Sequence, residues 1–311
     1  MVLNLVLYID YYFSNMKILM ATFTAFLIFL ASLSSSAHAE AYSYDRDNST
    51  VIGSAKTYTV NGNESLIEIA RKFGLGYNEI VSANPDLDPF LPGDNARVVI
   101  PTAWVLPDAP SYQGIIINLS EMRLYYFFKQ SERNLVRTFP VGIGDDETDT
   151  PIGSFKITEK SVRPSWNVPK SIRQRRPYLP SVVPPGPNNP LGSHALRLSW
   201  SSYLIHGTNR PWSIGRRFTS GCIRLYPEDI PKLFQMVPVG TNVLIVRQPV
   251  KVGARDGKVY IEVHKDDTLN INYFNEAVRL LKNRNLLGQI NTERLYQAIR
   301  EKKGMPVEIS N

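Results

Sequence analysis

The chain has one cysteine, Cys222, and only four histidines in 311 residues. A single thiol excludes an internal disulfide. With His194, His206 and His264 far apart in sequence, no metal-ligand spacing is present, and neither a metal nor a cofactor is expected. A phosphate-binding glycine loop, an internal repeat and a low-complexity tract are also missing. So is a basic helix or an aromatic-basic repeat. The net charge of +7 is a modest excess that argues against nucleic acid and suits an anionic polymer equally well.

Long apolar runs are absent too. The run Ile18 to Leu33 falls short of the ~20 residues a membrane span needs. Met16-Lys17 before it and Ser34-Ser35-Ser36-Ala37-His38-Ala39 after it complete the three regions of a secretory signal peptide cleaved after Ala39, which predicts export. Residues 1–39 are thus leader and signal, with Met16 as the expected start, because Met1 to Asn15 include Asp10 ahead of the signal. Residues 40–56, carrying Asp45-Arg46-Asp47-Asn48-Ser49-Thr50, read as a flexible linker. An unpaired thiol kept in a compartment where disulfides form is easier to explain by use than by packing.

What is present centres on Tyr203 to Tyr226. Tyr203-Leu204-Ile205 reads as a buried strand that presents His206, after which Gly207 lets the backbone turn. Sixteen positions later comes Ser220-Gly221-Cys222, a turn passing into a short strand Ile223 to Leu225. A thiolate is a strong nucleophile near neutral pH, and an adjacent imidazole takes its proton. Cys222 is the candidate nucleophile and His206 the candidate base, with N–H groups of the Gly221 turn as a candidate oxyanion hole. Arg224 either binds a substrate carboxylate or orients the turn, and the second role is the one expected. The partner that orients His206 is left open among a backbone carbonyl, Ser220 and Thr208.

H-G-T followed by S-G-C-I-R resembles the L,D-transpeptidases of bacterial cell walls, whose motif is His-Gly-Thr, a loop, then Ser/Thr-His-Gly-Cys-x-Arg/Asn. The resemblance implies that Cys222 is the nucleophile and His206 the base, with Gly221 and Arg224 matching and Ser220 standing where the family has a second histidine. T-P-x-G-x-F, here Thr150 to Phe155, recurs in the same family. V-V-P-P-G-P-N-N-P-L-G and G-M-P-V-E-I resemble the subgroup that attaches a lipoprotein to the wall, where the Pro-rich loop is a lid over the substrate cleft. Trp166, in that loop, either stacks on substrate or anchors the loop.

Upstream, Thr57 to Val60, a helix carrying Leu66, Ile69, Ala70 and Phe73, a second helix Tyr77 to Ala83 and a strand Ala96 to Ile100 form a βααβ pattern. With A-N-P and L-P-G-D it resembles the lysin motif, which binds glycan strands. The expected architecture is a mostly β catalytic domain of the L,D-transpeptidase sandwich or barrel type at 112–248. A small α+β lysin-motif domain at 57–102 precedes it, and a mixed α/β C-terminal extension at 249–311 follows. The expected reaction is release of D-alanine from a wall tetrapeptide through a thioester, with passage of the acyl group to an amine. By subgroup likeness the acceptor is a lysine of an outer-membrane lipoprotein, in the periplasm. Alternatives are a diaminopimelate amine (3-3 crosslinking), water (carboxypeptidase), or a non-catalytic wall-binding protein.

Overall fold

The computed structural model describes residues 41–311 other than Ser201; the signal peptide and the start at Met16 lie outside the described residues. One curled nine-stranded sheet carries the site. Its spatial order is Ala41–Ser43, Arg133–Pro140, Arg123–Gln130, Gly114–Asn118, Asn242–Val246, Gly153–Val162, His194–Leu198, Leu204–His206 and Ile223–Arg224. Neighbours are antiparallel except at two places, where Asn242–Val246 runs parallel to Gly114–Asn118 and Leu204–His206 parallel to Ile223–Arg224. Ile115, Ile116, Ile117, Leu124 and Tyr125 are all buried, so the central strands are covered on both faces. The sheet curls back on itself through an Arg224–Gly142 bridge, with N–H···O contacts of 2.9 Å in both directions.

The linker expected at 40–56 is instead folded. Ala41–Ser43 pairs with Arg133–Pro140, and Val51–Gly53 pairs with Ala103–Val105. The reason is aromatic. Tyr42 meets Trp104 edge-on at 6.0 Å, and Tyr44 meets Tyr112 and Phe127 at 5.3 and 5.4 Å. Burying rings of this size outweighs the charged run between them. Thr50 then stitches the start of the chain to its other end: its N–H donates to Ala254 O and its own carbonyl accepts from Leu106 N–H, both at 2.8 Å.

The βααβ pattern forms as expected, with strands Lys56–Thr59 and Arg97–Ile100 around helices Leu66–Lys72 and Tyr77–Ala83. Ser65 and Glu68 close a capping box on the first helix, which satisfies two of its orphan N–H groups. This unit is fused to the sheet. The Arg123 guanidinium grips Glu79 at 2.8 and 2.7 Å, both side chains 2% exposed or less, and covers Trp104 at 4.2 Å. Trp104 Nε1 and Gly76 N–H also donate to Glu79, at 3.0 and 2.7 Å, so neither buried charge is left unpaired.

At the C-terminus a hairpin, Val250–Arg255 with Lys258–Val263, packs under helices Tyr273–Asn283 and Thr292–Glu301. Beneath it lies a second buried ionic cluster. The Lys251 ammonium sits 2.7 Å from Glu121, 2.9 Å from Glu262 and 2.7 Å from the Val105 carbonyl, and His264 Nε2 lies 2.6 Å from Glu262. Glu121, Glu262 and His264 are grouped as metal ligands would be, but the ammonium already supplies the cation.

Candidate active site

Two adjacent strand ends build the site. Leu204–His206 is the next-to-last strand and ends on His206; Ile223–Arg224 is the last and begins just after Cys222. In their parallel register Ile205 faces Ile223 and His206 faces Arg224. Side chains two apart share a face. His206 and Arg224 therefore rise from the same face of the sheet edge, with Cys222 at the turn two residues before Arg224.

The open question of what orients His206 has a backbone answer. The Gly207 carbonyl accepts from Nδ1–H at 2.6 Å, which leaves Nε2 as the basic nitrogen of the neutral ring. The Leu191 carbonyl, from the Pro-rich loop, also bears on the imidazole. Neither side-chain candidate serves: Thr208 Oγ1 accepts from Arg210 N–H at 2.9 Å, and Ser220 is exposed with no hydrogen bond from its side chain. Burial first, and the Arg224 cation second, push the His206 pKa down to about 3.

The resting pair is neutral. Burial pushes the Cys222 thiol up, against the Leu204 N–H, Arg224 and Arg197, which favour the thiolate. The expected thiolate-favouring environment is thus outweighed by desolvation. The S–H points to the Ser202 carbonyl at 3.7 Å, and no hydrogen bond joins it to the His206 ring.

The Gly221 turn is built by residues that sequence reasoning gave no role. Gly221 has φ +95°, and a Cβ there would lie 2.6 Å from the Tyr203 ring, so only glycine fits. Its N–H donates to Thr219 Oγ1 at 3.1 Å, and that hydroxyl donates on to Cys222 O at 2.6 Å. Thr150, of the T-P-x-G-x-F stretch, donates to Gly221 O at 3.0 Å while accepting from Gly144 N–H at 2.9 Å. The Gly221 donor expected at the oxyanion hole is thus turned onto Thr219 in the resting site.

The loop between His206 and Cys222 leans on the βααβ unit. Tyr77 and Asn78 N–H, at the start of the second helix, donate to Ile214 and Gly215 carbonyls at 3.1 and 3.3 Å, and the Arg216 guanidinium lies 3.5 Å from the Tyr77 ring centre. On the other side, Arg217 pairs with Asp146 and Asp149, in the acidic stretch Asp145 to Thr150, at 2.9 and 3.2 Å.

The Pro-rich loop is ordered by buried Asn189, whose amide donates to the Pro164, Val183 and Pro184 carbonyls, and Asn209 Nδ2 reaches Asn188 O at 3.1 Å. Trp166 sits in a two-stranded ladder with Val182–Val183, half-buried. Among the described residues it makes no ring contact or hydrogen bond with the Cys222 turn.

A family model for the L,D-transpeptidase catalytic domain (YkuD) matches residues 112–246. The probable L,D-transpeptidase YbiS of Escherichia coli (strain K12) is 37% identical over 311 residues, 95% of this chain and 100% of its own. Two more probable L,D-transpeptidases of the same strain are similar. YcfS is 37% identical over 84% of this chain and 85% of its own length, and ErfK/SrfK 37% identical over 87% and 91%.

Proposed function

Because the chain belongs to the L,D-transpeptidase family, we propose that Cys222 is its nucleophile and His206 its general base, acting on peptidoglycan tetrapeptide stems in the periplasm. The observation that carries this reading is the pair of adjacent strand ends, one ending on His206 and the other starting right after Cys222, with Arg224 in register with His206. A χ1 rotation turns Sγ from Ser202 O toward Nε2, which takes the proton as sulfur attacks the carbonyl between the third and fourth stem residues. The tetrahedral oxyanion is met by the Cys222 N–H and by the Gly221 N–H once it leaves Thr219, each donor being worth ~10²–10³ in rate. His206 then returns its proton to the departing D-alanine amine, leaving a thioester. An acceptor amine reverses the sequence.

The acceptor we propose is a lysine of an outer-membrane lipoprotein, supported by the Pro-rich loop and its reach to Asn209 above His206. The βααβ unit at 57–102 is proposed to bind glycan strands, and 249–311 to brace the sheet from below. Intact-mass measurement of the mature protein with a disaccharide-tetrapeptide and with a carbapenem tests the nucleophile. A covalent adduct is expected on the wild type and not on Cys222→Ala. Added amine, lipoprotein peptide or water then names the acceptor by its product. No adduct on a folded wild type leaves a wall-binding protein instead.

A further inference from the structure

Arg224 is a half-buried cation whose enclosed donors have nothing to hold. Its Nε and Nη1 are enclosed, yet neither finds an acceptor. Arg123, an arginine buried more deeply still, places its donors on Glu79, Thr138 and Gly74. Enclosed guanidinium donors are paired as a rule; Arg137 and Arg216 each leave only Nε unpaired, whereas Arg224 leaves two donors, which calls for a ligand.

The neighbourhood sharpens that. Arg217 is taken by Asp146 and Asp149, Arg175 by Glu147 and Arg197 by Glu159. Arg176, Arg210 and Arg224 are left without an ion pair among the described residues. Burial chiefly, with Arg210 and Arg176 adding to it and the Cys222 sulfur acting the other way, brings the Arg224 pKa down to about 10. Among the described residues no carboxylate pairs with it.

Resting on the function proposed above, we propose that Arg224, with Arg210 and Arg176 at the mouth, is the receptor for a carboxylate of the stem peptide bound beside the scissile carbonyl. A planar guanidinium offering Nε and an Nη on one edge matches a carboxylate bidentately. The donor stem offers two such groups, the α-carboxylate of the terminal D-alanine and the side-chain carboxylate of the third residue. Either one would neutralise the cation that helps hold the His206 pKa down, so a correct substrate also makes its base easier to protonate.

The test measures kcat and KM for release of the fourth residue from three stems: the free acid, the C-terminal carboxamide, and the stem amidated on the third side chain. Wild type, Arg224→Gln and Arg224→Lys are compared, with thermal melting to confirm folding. For the wild type, one of the two amides should lose about 10–100-fold in kcat/KM, and which one identifies the carboxylate. R224Q should lose a similar factor on the acid and nothing further on that amide, and R224K should recover part of the acid preference. If R224Q does not fold, Arg210→Gln, at an exposed position, should show the same narrowing to a smaller extent.

A wild type that treats the acid and both amides alike overturns this inference while leaving the transpeptidase reading intact. So does a folded R224Q that keeps the wild-type preference, or, in its place, an R210Q that keeps it. A folded wild type that releases the fourth residue from no stem overturns the underlying reading itself.

Discussion

Substituting Gly215 by alanine tests whether the βααβ unit is part of the catalytic apparatus. Gly215 has φ +75°, and a Cβ there would stand 2.2 Å from Tyr77 N and 2.6 Å from Gly76 C, both backbone atoms. Neither can move aside alone, so the loop and the helix start must separate. The Tyr77 N–Ile214 O and Asn78 N–Gly215 O hydrogen bonds would then be lost, at ~1 kcal/mol each, with ~1 kcal/mol more for alanine at positive φ. The total is about 3 kcal/mol. Gly62 supplies the control, since it has φ +63° and nothing within 4 Å of its would-be Cβ. Gly62→Ala should cost only the ~1 kcal/mol backbone share. Urea unfolding gives the stabilities, and the rate of Cys222 acylation by a carbapenem gives the catalytic effect. Acylation should fall at least ~10-fold in G215A and stay unchanged in G62A, because displacing a reacting group by about 1 Å costs that much or more. Equal stability losses, or an unchanged acylation rate in G215A, would refute the coupling.

Further expectations follow from the buried charges. With His206 neutral down to about 3 and the Cys222 thiol raised, kcat/KM for acylation should show no ionisation between pH 5 and 8; a limb with its midpoint near 6.5 would mean an exposed imidazole. Below its ordinary 6.5, His206 takes up a proton only in the unfolded chain. Wild type should therefore lose stability relative to His206→Gln by up to ~1.4 kcal/mol per pH unit as pH falls from 6.5 toward 4, read by denaturant melts at each pH. Lys251→Met leaves Glu121 and Glu262 facing each other in the interior and should cost ~3–5 kcal/mol, part of which Glu121→Gln restores in the double variant; strictly additive urea results would argue against the cluster acting as a unit.

Local signals were the legible part of the sequence. The helical spacing of Leu66, Ile69, Ala70 and Phe73 announced a helix, and the strands around His206 and Cys222 lie where the Tyr203-Leu204-Ile205 run and the Gly221 turn put them. The fold of 41–56 was missed because Asp45 to Thr50 dominated the reading, although Tyr42 and Tyr44 already alternated as strand residues do. The acceptor on His206 is a main-chain carbonyl, which any residue would supply, so side-chain identity held no trace of it. Lys251 and Glu121 lie 130 residues apart, and no local pattern could pair them. The neutral state of the Cys222–His206 pair depends on depth of burial, a property of the assembled sheet.

The seam at Thr50 bears on the order in which the molecule can be made. Val51–Gly53 and Ala103–Val105 leave the ribosome early, yet the groups that complete them come late: Ala254 O for Thr50, and Glu262, which accepts Val105 N–H at 2.5 Å. Until the C-terminal hairpin exists, this pair of strands lacks the Ala254 and Glu262 acceptors that satisfy its Thr50 and Val105 N–H groups. Long-range closure of this kind slows folding, because the entropy of bringing distant segments together is lost before their contacts repay it. The seam at Thr50 thus closes only after the hairpin has been made, so its completion is one of the last events open to the folding chain.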